Sequence, residues 1–187
     1  MAEPQRRRRA GVLMPLFSIR SSSGWGLGEI PDLVDFSRWA SRAGFSVLQL
    51  LPVNEVADGE TSPYSATTAF ALDPIYLSLD QCEDFAASGG RQALSEQSQE
   101  QLAALAAAPA VRWRQIRTLK NEALARAFAH FKEHEWQGQS ERAKALSRFA
   151  EQESAWLDDH ALFGALRERH VDWWQEWPAP LRMHDPQ

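Results

Sequence analysis

Two short apolar runs decide the fold class of this chain: Gly-Val-Leu-Met-Pro-Leu-Phe at 11–17 and Val-Leu-Gln-Leu-Leu-Pro at 47–52. Such runs are typical of strands buried on both faces of a parallel sheet, although Pro15 cannot donate to a strand ladder. Between the runs, apolar residues recur at helical spacing after Pro31 and stop at Gly44. A strand, a helix and a strand within about 40 residues predict a βαβ unit with parallel strands and a right-handed crossover.

A long loop follows the second apolar run. Residues 54–73 contain Gly59, Pro63 and several Ser and Thr residues, and a loop of this length inside a domain is usually functional. In barrels and open parallel sheets, ligands bind at this end of the strands. Tyr64, within Ser-Pro-Tyr-Ser at 62–65, is therefore a candidate ligand contact through its ring and hydroxyl. A tyrosine packed on its own loop is the alternative.

The second half of the chain shows helical rather than strand patterns. Residues 75–79 could still be extended, and Asp158-Asp159 could cap a new helix. Two parallel strands do not form a stable sheet by themselves. The chain is therefore predicted to be the start of a larger α/β fold with a helical insertion. The helical patterns cover 92–107, 116–131 and 146–166.

Composition restricts the class of partner. A net charge of -5 and a pI near 5.6 argue against nucleic acid, because phosphate binding needs a basic field. The only basic run, 6–9, belongs to an expected solvated tail at 1–10, and the apolar stretch at 10–18 is short for a signal peptide. No run approaches the roughly 20 apolar residues of a membrane span. Cys82 is the only cysteine, so no internal disulfide can form, and a reducing cytoplasm is expected.

A glycine-rich loop invites a dinucleotide-binding interpretation. Gly-Trp-Gly-Leu-Gly at 24–28 lies between the predicted strand and helix, and Glu55 could bind a ribose. However, Glu29 stands where the fingerprint requires its third glycine, and its carboxylate would repel a pyrophosphate at a helix N-terminus. The sequence therefore predicts an ordinary turning loop and no cofactor.

Two further patterns could suggest metal or thiol chemistry. His130 and His134 have a spacing that can hold zinc, but the glutamate of His-Phe-Lys-Glu-His is misplaced for H-E-x-x-H. Surface histidines and no metal site are expected. Cys82 lies among acidic residues that disfavour a thiolate, and a structural role is expected.

Several blocks of the chain, in the same order, resemble one enzyme family. The most specific is Ser-Pro-Tyr at 62–64, followed by Ala-Phe-Ala at 69–71 and Pro74. The other blocks are 11–19, 24–28, 43–52, 156–166 and 174–182. Together they are similar to the 4-α-glucanotransferases of the α-amylase clan, also called amylomaltases or disproportionating enzymes. That family usually has Ser-Ala-Phe-Ala and Asn-Pro after Ser-Pro-Tyr, so Thr68, Leu72 and Asp73 are departures.

The resemblance covers only the N-terminal part of such an enzyme. It implies a (βα)₈ TIM barrel whose first two strands and loops lie in 11–79, with a mostly helical insertion at 80–187. It also implies transfer of α-1,4-glucan segments between maltodextrins by retaining double displacement, without cofactor, in the cytoplasm. An α-amylase-type hydrolase of the same barrel is disfavoured by the Ser-Pro-Tyr block.

The resemblance assigns one substrate-binding residue, Tyr64, and no catalytic residue. Retaining catalysis needs two carboxyl groups about 5–5.5 Å apart, and the family's two Asp residues and one Glu lie on later strands. The carboxylates near the predicted site are expected to be solvated loop charges: Glu29, Glu55, Asp58, Glu60 and Asp73. The chain alone is expected to be inactive and poorly soluble. A non-catalytic glucan-binding or partner protein is the alternative.

Overall fold

The computed structural model describes residues 8–57, 59–170 and 173–183. The chain divides into two compact units, 1–137 and 138–187, which are described one at a time. The sequence predicted a different division, between barrel segments at 11–79 and a helical insertion at 80–187. That division refers to a complete barrel, and it stays a prediction.

The sheet of the first unit has two parallel strands, as predicted. Strand β1 spans Gly11–Met14 and strand β2 spans Val47–Leu50, with Gly11 opposite Val47 and Met14 opposite Leu50. β1 is shorter than its apolar run because Pro15 begins a 3-10 turn instead of continuing the ladder. The expectation that both faces are buried was wrong. The strand residues alternate between exposed and half-buried, because a two-stranded sheet has few neighbours to cover it.

Helix α1, Asp32–Arg42, connects the two strands. Pro31 precedes its first turn with a φ of -63°, which suits a helix start. Asp32 and Asp35 lie in the first turn and Arg42 in the last, where each charge is favourable to the helix dipole. Gly44 has a φ of +89° and ends the helix as predicted. The strand–helix–strand order inferred from the sequence is thus confirmed.

Among its described residues, the first unit has three more α-helices: α2 (Glu83–Ala87), α3 (Glu96–Ala107) and α4 (Trp113–Phe131). The sequence allowed residues 75–79 to be extended, but the structure does not form a strand there. They instead form parts of two 3-10 turns, because the Asp73 side chain accepts the Ile75 N–H and begins the first turn. A π-helical turn, Lys132–Trp136, follows α4.

The apolar core of the first unit lies away from the sheet. It joins the glycine-rich loop, the 3-10 turns, α2, α3 and α4. Its fully or nearly fully buried members include Leu16, Trp25, Leu27, Ile75, Leu79, Phe85, Leu102, Leu105, Ile116, Leu119 and Ala123. The predicted apolar face of α4 is largely confirmed, but Phe128 is 61% exposed.

The second unit consists mainly of helix α5, Glu141–Arg169, and the short helix α6, Ala179–Arg182. Ser140 caps α5 by accepting the Ala143 N–H. Asp158-Asp159 could have capped a new helix, but α5 runs through both residues. Both side chains are exposed, and aspartate inside a helix costs at most about 0.7 kcal/mol relative to alanine. No helix of the described residues is long and apolar enough to cross a bilayer.

Candidate functional site

The loop after β2, residues 54–72, folds as an irregular hairpin. Its two arms form isolated antiparallel bridges, Asn54 with Leu72 and Val56 with Ala66. At its base, the Glu55 N–H donates to the Ala71 carbonyl at 3.1 Å. The loop follows the C-terminal end of β2, where the sequence predicted a ligand site. We refer to residues 54–72 as the Tyr64 loop.

Tyr64 lies at the exposed part of this loop. Its side chain is 73% exposed, whereas a tyrosine packed on its own loop would be largely covered. The Tyr64 N–H donates to Ser62 Oγ at 3.3 Å, and the Ser65 N–H donates to the Ser62 carbonyl at 3.1 Å. These bonds and the fixed φ of Pro63 define a tight turn. The aromatic ring is therefore accessible to a ligand, and its ligand role stays a prediction.

Asp73 closes the base of the Tyr64 loop, and it is not the solvated charge that the sequence predicted. It is 2% exposed. Its carboxylate accepts two hydrogen bonds from the Arg117 guanidinium, Oδ1 from Nη1 at 3.0 Å and Oδ2 from Nη2 at 2.8 Å. It also accepts the Ile75 N–H at 2.9 Å and, at 3.5 Å, the Val56 N–H. Burial is tolerated because a cation from α4 and two backbone donors satisfy the carboxylate.

Glu29 is likewise buried, at 3% exposed, so its predicted solvation was also wrong. Lys120 Nζ, on α4, donates to Glu29 Oε1 at 2.5 Å and to the carbonyls of Ile75 and Leu77 at 2.7 Å. Burial lowers the pKa of Lys120, and the neighbouring Glu29 carboxylate opposes that shift. The lysine thereby joins the end of the glycine-rich loop, the 3-10 turn after Asp73 and helix α4.

The other carboxylates near the loop behave differently from this pair. Glu60 is exposed, in agreement with the prediction, whereas Glu55 is half-buried. Asp58 lies outside the described residues.

The glycine-rich loop packs closely against other parts of the protein. Trp25 and Leu27 are fully buried in the core. A Cβ at Gly28 would lie only 2.5 Å from the Ile19 carbonyl oxygen. The backbone of the loop therefore packs against the preceding 3-10 turn.

The two histidines of α4 and the following turn lie close together. Their rings stack with centroids 4.2 Å apart, and His130 Nδ1 is 3.0 Å from Asp84 Oδ1. His134 is exposed as predicted, but His130 is half-buried because α2 packs against it. Within 8–57, 59–170 and 173–183, no group of three or more His, Cys, Asp or Glu residues could hold a metal. Cys82 is half-buried and packs against the apolar core.

Arg117 and Lys120 are the residues near the site that sequence reasoning missed. The sequence does contain a sign that Lys120 is buried, because this lysine stands four positions after Ile116 on the apolar face of the predicted helix. A lysine at such a position needs a buried partner. The identity of that partner could not be inferred, since Glu29 is 91 residues away.

Comparison with known proteins decides the family. A sequence model described as 4-alpha-glucanotransferase matches residues 14–187. The chain belongs to the 4-alpha-glucanotransferase family. It matches the N-terminal part of such enzymes, as the sequence blocks predicted.

Individual 4-alpha-glucanotransferases agree with this assignment. One from Chlamydia pneumoniae is 30% identical over 174 residues, which are 91% of this chain and 31% of that protein. One from rice (Oryza sativa subsp. japonica) is 42% identical over 81 residues, covering 41% of this chain and 9% of that protein. The chain thus spans about a third or less of the length of these relatives.

Solved structures of amylomaltases share the fold of this chain. An amylomaltase from Streptococcus agalactiae in complex with acarbose aligns with a TM-score of 0.67 and 24% identity, covering 91% of this chain and 32% of that one. An amylomaltase from Corynebacterium glutamicum aligns with a TM-score of 0.58 and 23% identity, covering 94% and 25%. The chain therefore has the fold of one part of an amylomaltase.

Proposed function

We propose that this chain contributes the Tyr64 side of a glucan site in an enzyme that transfers α-1,4-glucan segments between maltodextrins. Membership of the 4-alpha-glucanotransferase family supports the reaction class. In this proposal, β1 and β2 are the first two strands of a (βα)₈ barrel in 11–79, and 80–187 form its helical insertion. The reaction is a retaining double displacement that needs no cofactor, and the lone Cys82 suits a cytoplasmic location.

The accessible ring of Tyr64 is the observation that carries this proposal. A flat aromatic face can cover the apolar face of a sugar ring while the phenol hydroxyl bonds to a sugar hydroxyl. Tyr64 presents both groups to solvent at 73% exposure, on a loop that follows the C-terminal end of a parallel strand. That location is where barrel and open-sheet proteins bind their ligands.

The catalytic carboxylates are assigned to segments beyond this chain. A retaining mechanism needs a free nucleophile and an acid/base about 5–5.5 Å apart. Glu29 and Asp73, two carboxylates near the Tyr64 loop, are instead buried in ion pairs with Lys120 and Arg117. The chain by itself is therefore expected to bind maltodextrin without turning it over.

The same ion pairs favour a second candidate, a non-catalytic glucan-binding or partner protein derived from this family. The enzyme and the glucan-binding form of the second candidate both require Tyr64 to contact glucan. They differ in whether a longer polypeptide that includes this chain produces glucose and longer maltodextrins from maltotriose.

The test is to incubate the purified chain, and a polypeptide that continues past Gln187, with maltotriose and to separate the products by chromatography. We expect products only from the longer polypeptide. Their rate of formation should fall about tenfold or more with Tyr64→Ala, since truncating an aromatic anchor residue typically costs about 2 kcal/mol or more. Trp39→Ala, which removes an exposed ring from α1 (54% exposed), is the matched control.

Three outcomes separate the possibilities. Turnover by the 187-residue chain would contradict the assignment of the carboxylates to other segments. Maltotriose binding that is lost in Tyr64→Ala, with no turnover by either polypeptide, would support the non-catalytic candidate. Equal activity of Tyr64→Ala and the unsubstituted enzyme would refute the substrate-binding role of Tyr64.

A further inference from the structure

The Tyr64 loop has few apolar contacts to hold it in place. Of its described residues, only Val56 is buried. A segment with so little buried apolar area opens locally at low cost unless polar contacts secure it. Because Tyr64 is distant in sequence from both ends of the loop, the position of its ring depends on how firmly the loop base is held.

That base converges on Asp73. The Asp73 N–H donates to the Val53 carbonyl at 3.0 Å, which joins the two arms where the loop begins and ends. Its carboxylate contacts the Val56 N–H on the outgoing arm and the Ile75 N–H in the following 3-10 turn. Asp73 thus bonds to the residue before the loop through its backbone, and to the outgoing arm and the segment after the loop through its buried side chain.

Arg117 attaches this point to helix α4, which packs into the core of the first unit. Its guanidinium pairs with both carboxylate oxygens of Asp73, and the arginine side chain is 18% exposed. Its helix neighbours Ile116 and Leu119 are 0% and 2% exposed, so α4 cannot shift without disturbing the core. A planar, bidentate arginine pair restricts orientation as well as distance.

We propose that Arg117 is a positioning residue for glucan binding: through Asp73 it holds the Tyr64 loop in the conformation that presents the Tyr64 ring. The inference rests on the proposed glucan site. An asparagine amide cannot form the bidentate, charge-assisted pair, so this anchor depends on the aspartate.

The first experiment measures loop anchoring without any glucan. Amide hydrogen exchange is compared between the unsubstituted chain and Arg117→Gln, with Arg117→Lys and Asp73→Asn as milder variants should Arg117→Gln fail to fold. We expect exchange at the Glu55 and Thr67 amides, which are bonded within the loop, to accelerate about tenfold or more, because the variant removes charge-assisted hydrogen bonds that hold the loop base.

The controls for this experiment lie on the same helix. Arg114→Gln removes an exposed arginine one turn earlier on α4 and should leave the exchange of the loop unchanged. The amides of Ala123 and Ala127 within α4 should lose less protection than the loop amides in every variant. Unchanged loop exchange in Arg117→Gln, or an equal acceleration throughout α4, would overturn the proposal.

The second experiment asks whether Arg117 acts through Tyr64. Maltotriose affinity is measured by calorimetry for Tyr64→Ala, Arg117→Gln and the double variant. A positioning role predicts that Arg117→Gln weakens binding and that the double variant binds no more weakly than Tyr64→Ala alone. Independent losses that add would refute it. If the unsubstituted chain does not bind maltotriose, the proposed function of this loop fails, while the exchange data still decide whether Arg117 holds the loop.

Discussion

Single buried charges join distant segments of the first unit. Lys120 connects Glu29 to the carbonyls of Ile75 and Leu77, and Arg117 connects Asp73 to α4. Removing one partner of such a pair typically costs about 3–5 kcal/mol, because the other charge stays buried and uncompensated. The two ion pairs therefore favour one arrangement of these segments. Replacing both partners of a pair by apolar residues of similar volume would give similar stability but would not specify the partner.

The pKa of Tyr76 is affected by the Asp73 and Arg117 charges. It is 5% exposed, and burial raises its pKa to about 12, with the Asp73 charge adding to the shift and Arg117 opposing it. Between pH 10 and 12 the folded protein therefore keeps a proton that the unfolded chain has lost.

We accordingly expect Tyr76 to make stability fall at alkaline pH. Its contribution is fully present below pH 10 and decreases by about 2–3 kcal/mol as the pH rises to 12. Urea unfolding of the unsubstituted chain and Tyr76→Phe over this range measures the difference, since a phenylalanine side chain has no proton to lose. Parallel pH dependence in the two proteins would show that Tyr76 ionises equally easily in the folded and unfolded states.

At the level of elements, the glycine-rich loop is shaped by close backbone approach. Gly26 has a φ of +95°, and a Cβ there would meet the Leu105 carbonyl oxygen at 2.9 Å. Gly28 packs against the carbonyls of Leu16 and Ile19. These glycines allow Trp25 and Leu27 to enter the core on either side of Gly26, which explains why the loop is structural.

Two alanine substitutions should have opposite effects on stability. Gly28→Ala should destabilise the chain by about 1–3 kcal/mol or more, because the added methyl group must displace backbone. Gly164→Ala should stabilise it by about 0.5–1 kcal/mol, since Gly164 lies within α5 with open space around its Cβ position. Thermal or urea unfolding measures both changes, and a neutral Gly28→Ala would contradict the packing described for the loop.

Over the whole molecule, much apolar surface stays uncovered around the sheet. Leu13 on β1, Val47 on β2 and Trp39 on α1 are 57%, 41% and 54% exposed. In the proposed barrel, further strands and helices would cover the strand residues. Without them, such surface and the open strand edges favour association between chains.

We therefore expect the isolated chain to self-associate and to bind hydrophobic dyes. Leu13→Lys should reduce the associated fraction measured by light scattering or sedimentation, because a lysine on a strand blocks edge-to-edge pairing. Met183→Lys, which places the same charge at a residue 72% exposed in the second unit, is the control. A monodisperse monomer with a sharp, cooperative melt would refute the expectation.

Local patterns predicted the elements of this chain well. These patterns depend only on neighbours within a few positions. They are the apolar runs, the helical spacing of apolar residues, and the residues that begin and end a helix, such as Pro31 and Gly44. β1, α1, β2 and most of α3, α4 and α5 were therefore found from sequence. Two possibilities that the sequence left open did not occur. At 75–79 the Asp73 side chain begins a 3-10 turn, and at Asp158-Asp159 helix α5 continues through two exposed aspartates.

The sequence by itself determined the strand–helix–strand order, the family and the candidate residue Tyr64, because these depend on local periodicity and on short ordered blocks. Only the tertiary structure decided that Glu29 and Asp73 are buried and that Lys120 and Arg117 neutralise them. The partners are 91 and 44 residues apart. A carboxylate looks the same in sequence whether water or a distant cation solvates it, and packing alone settles which of the two does so.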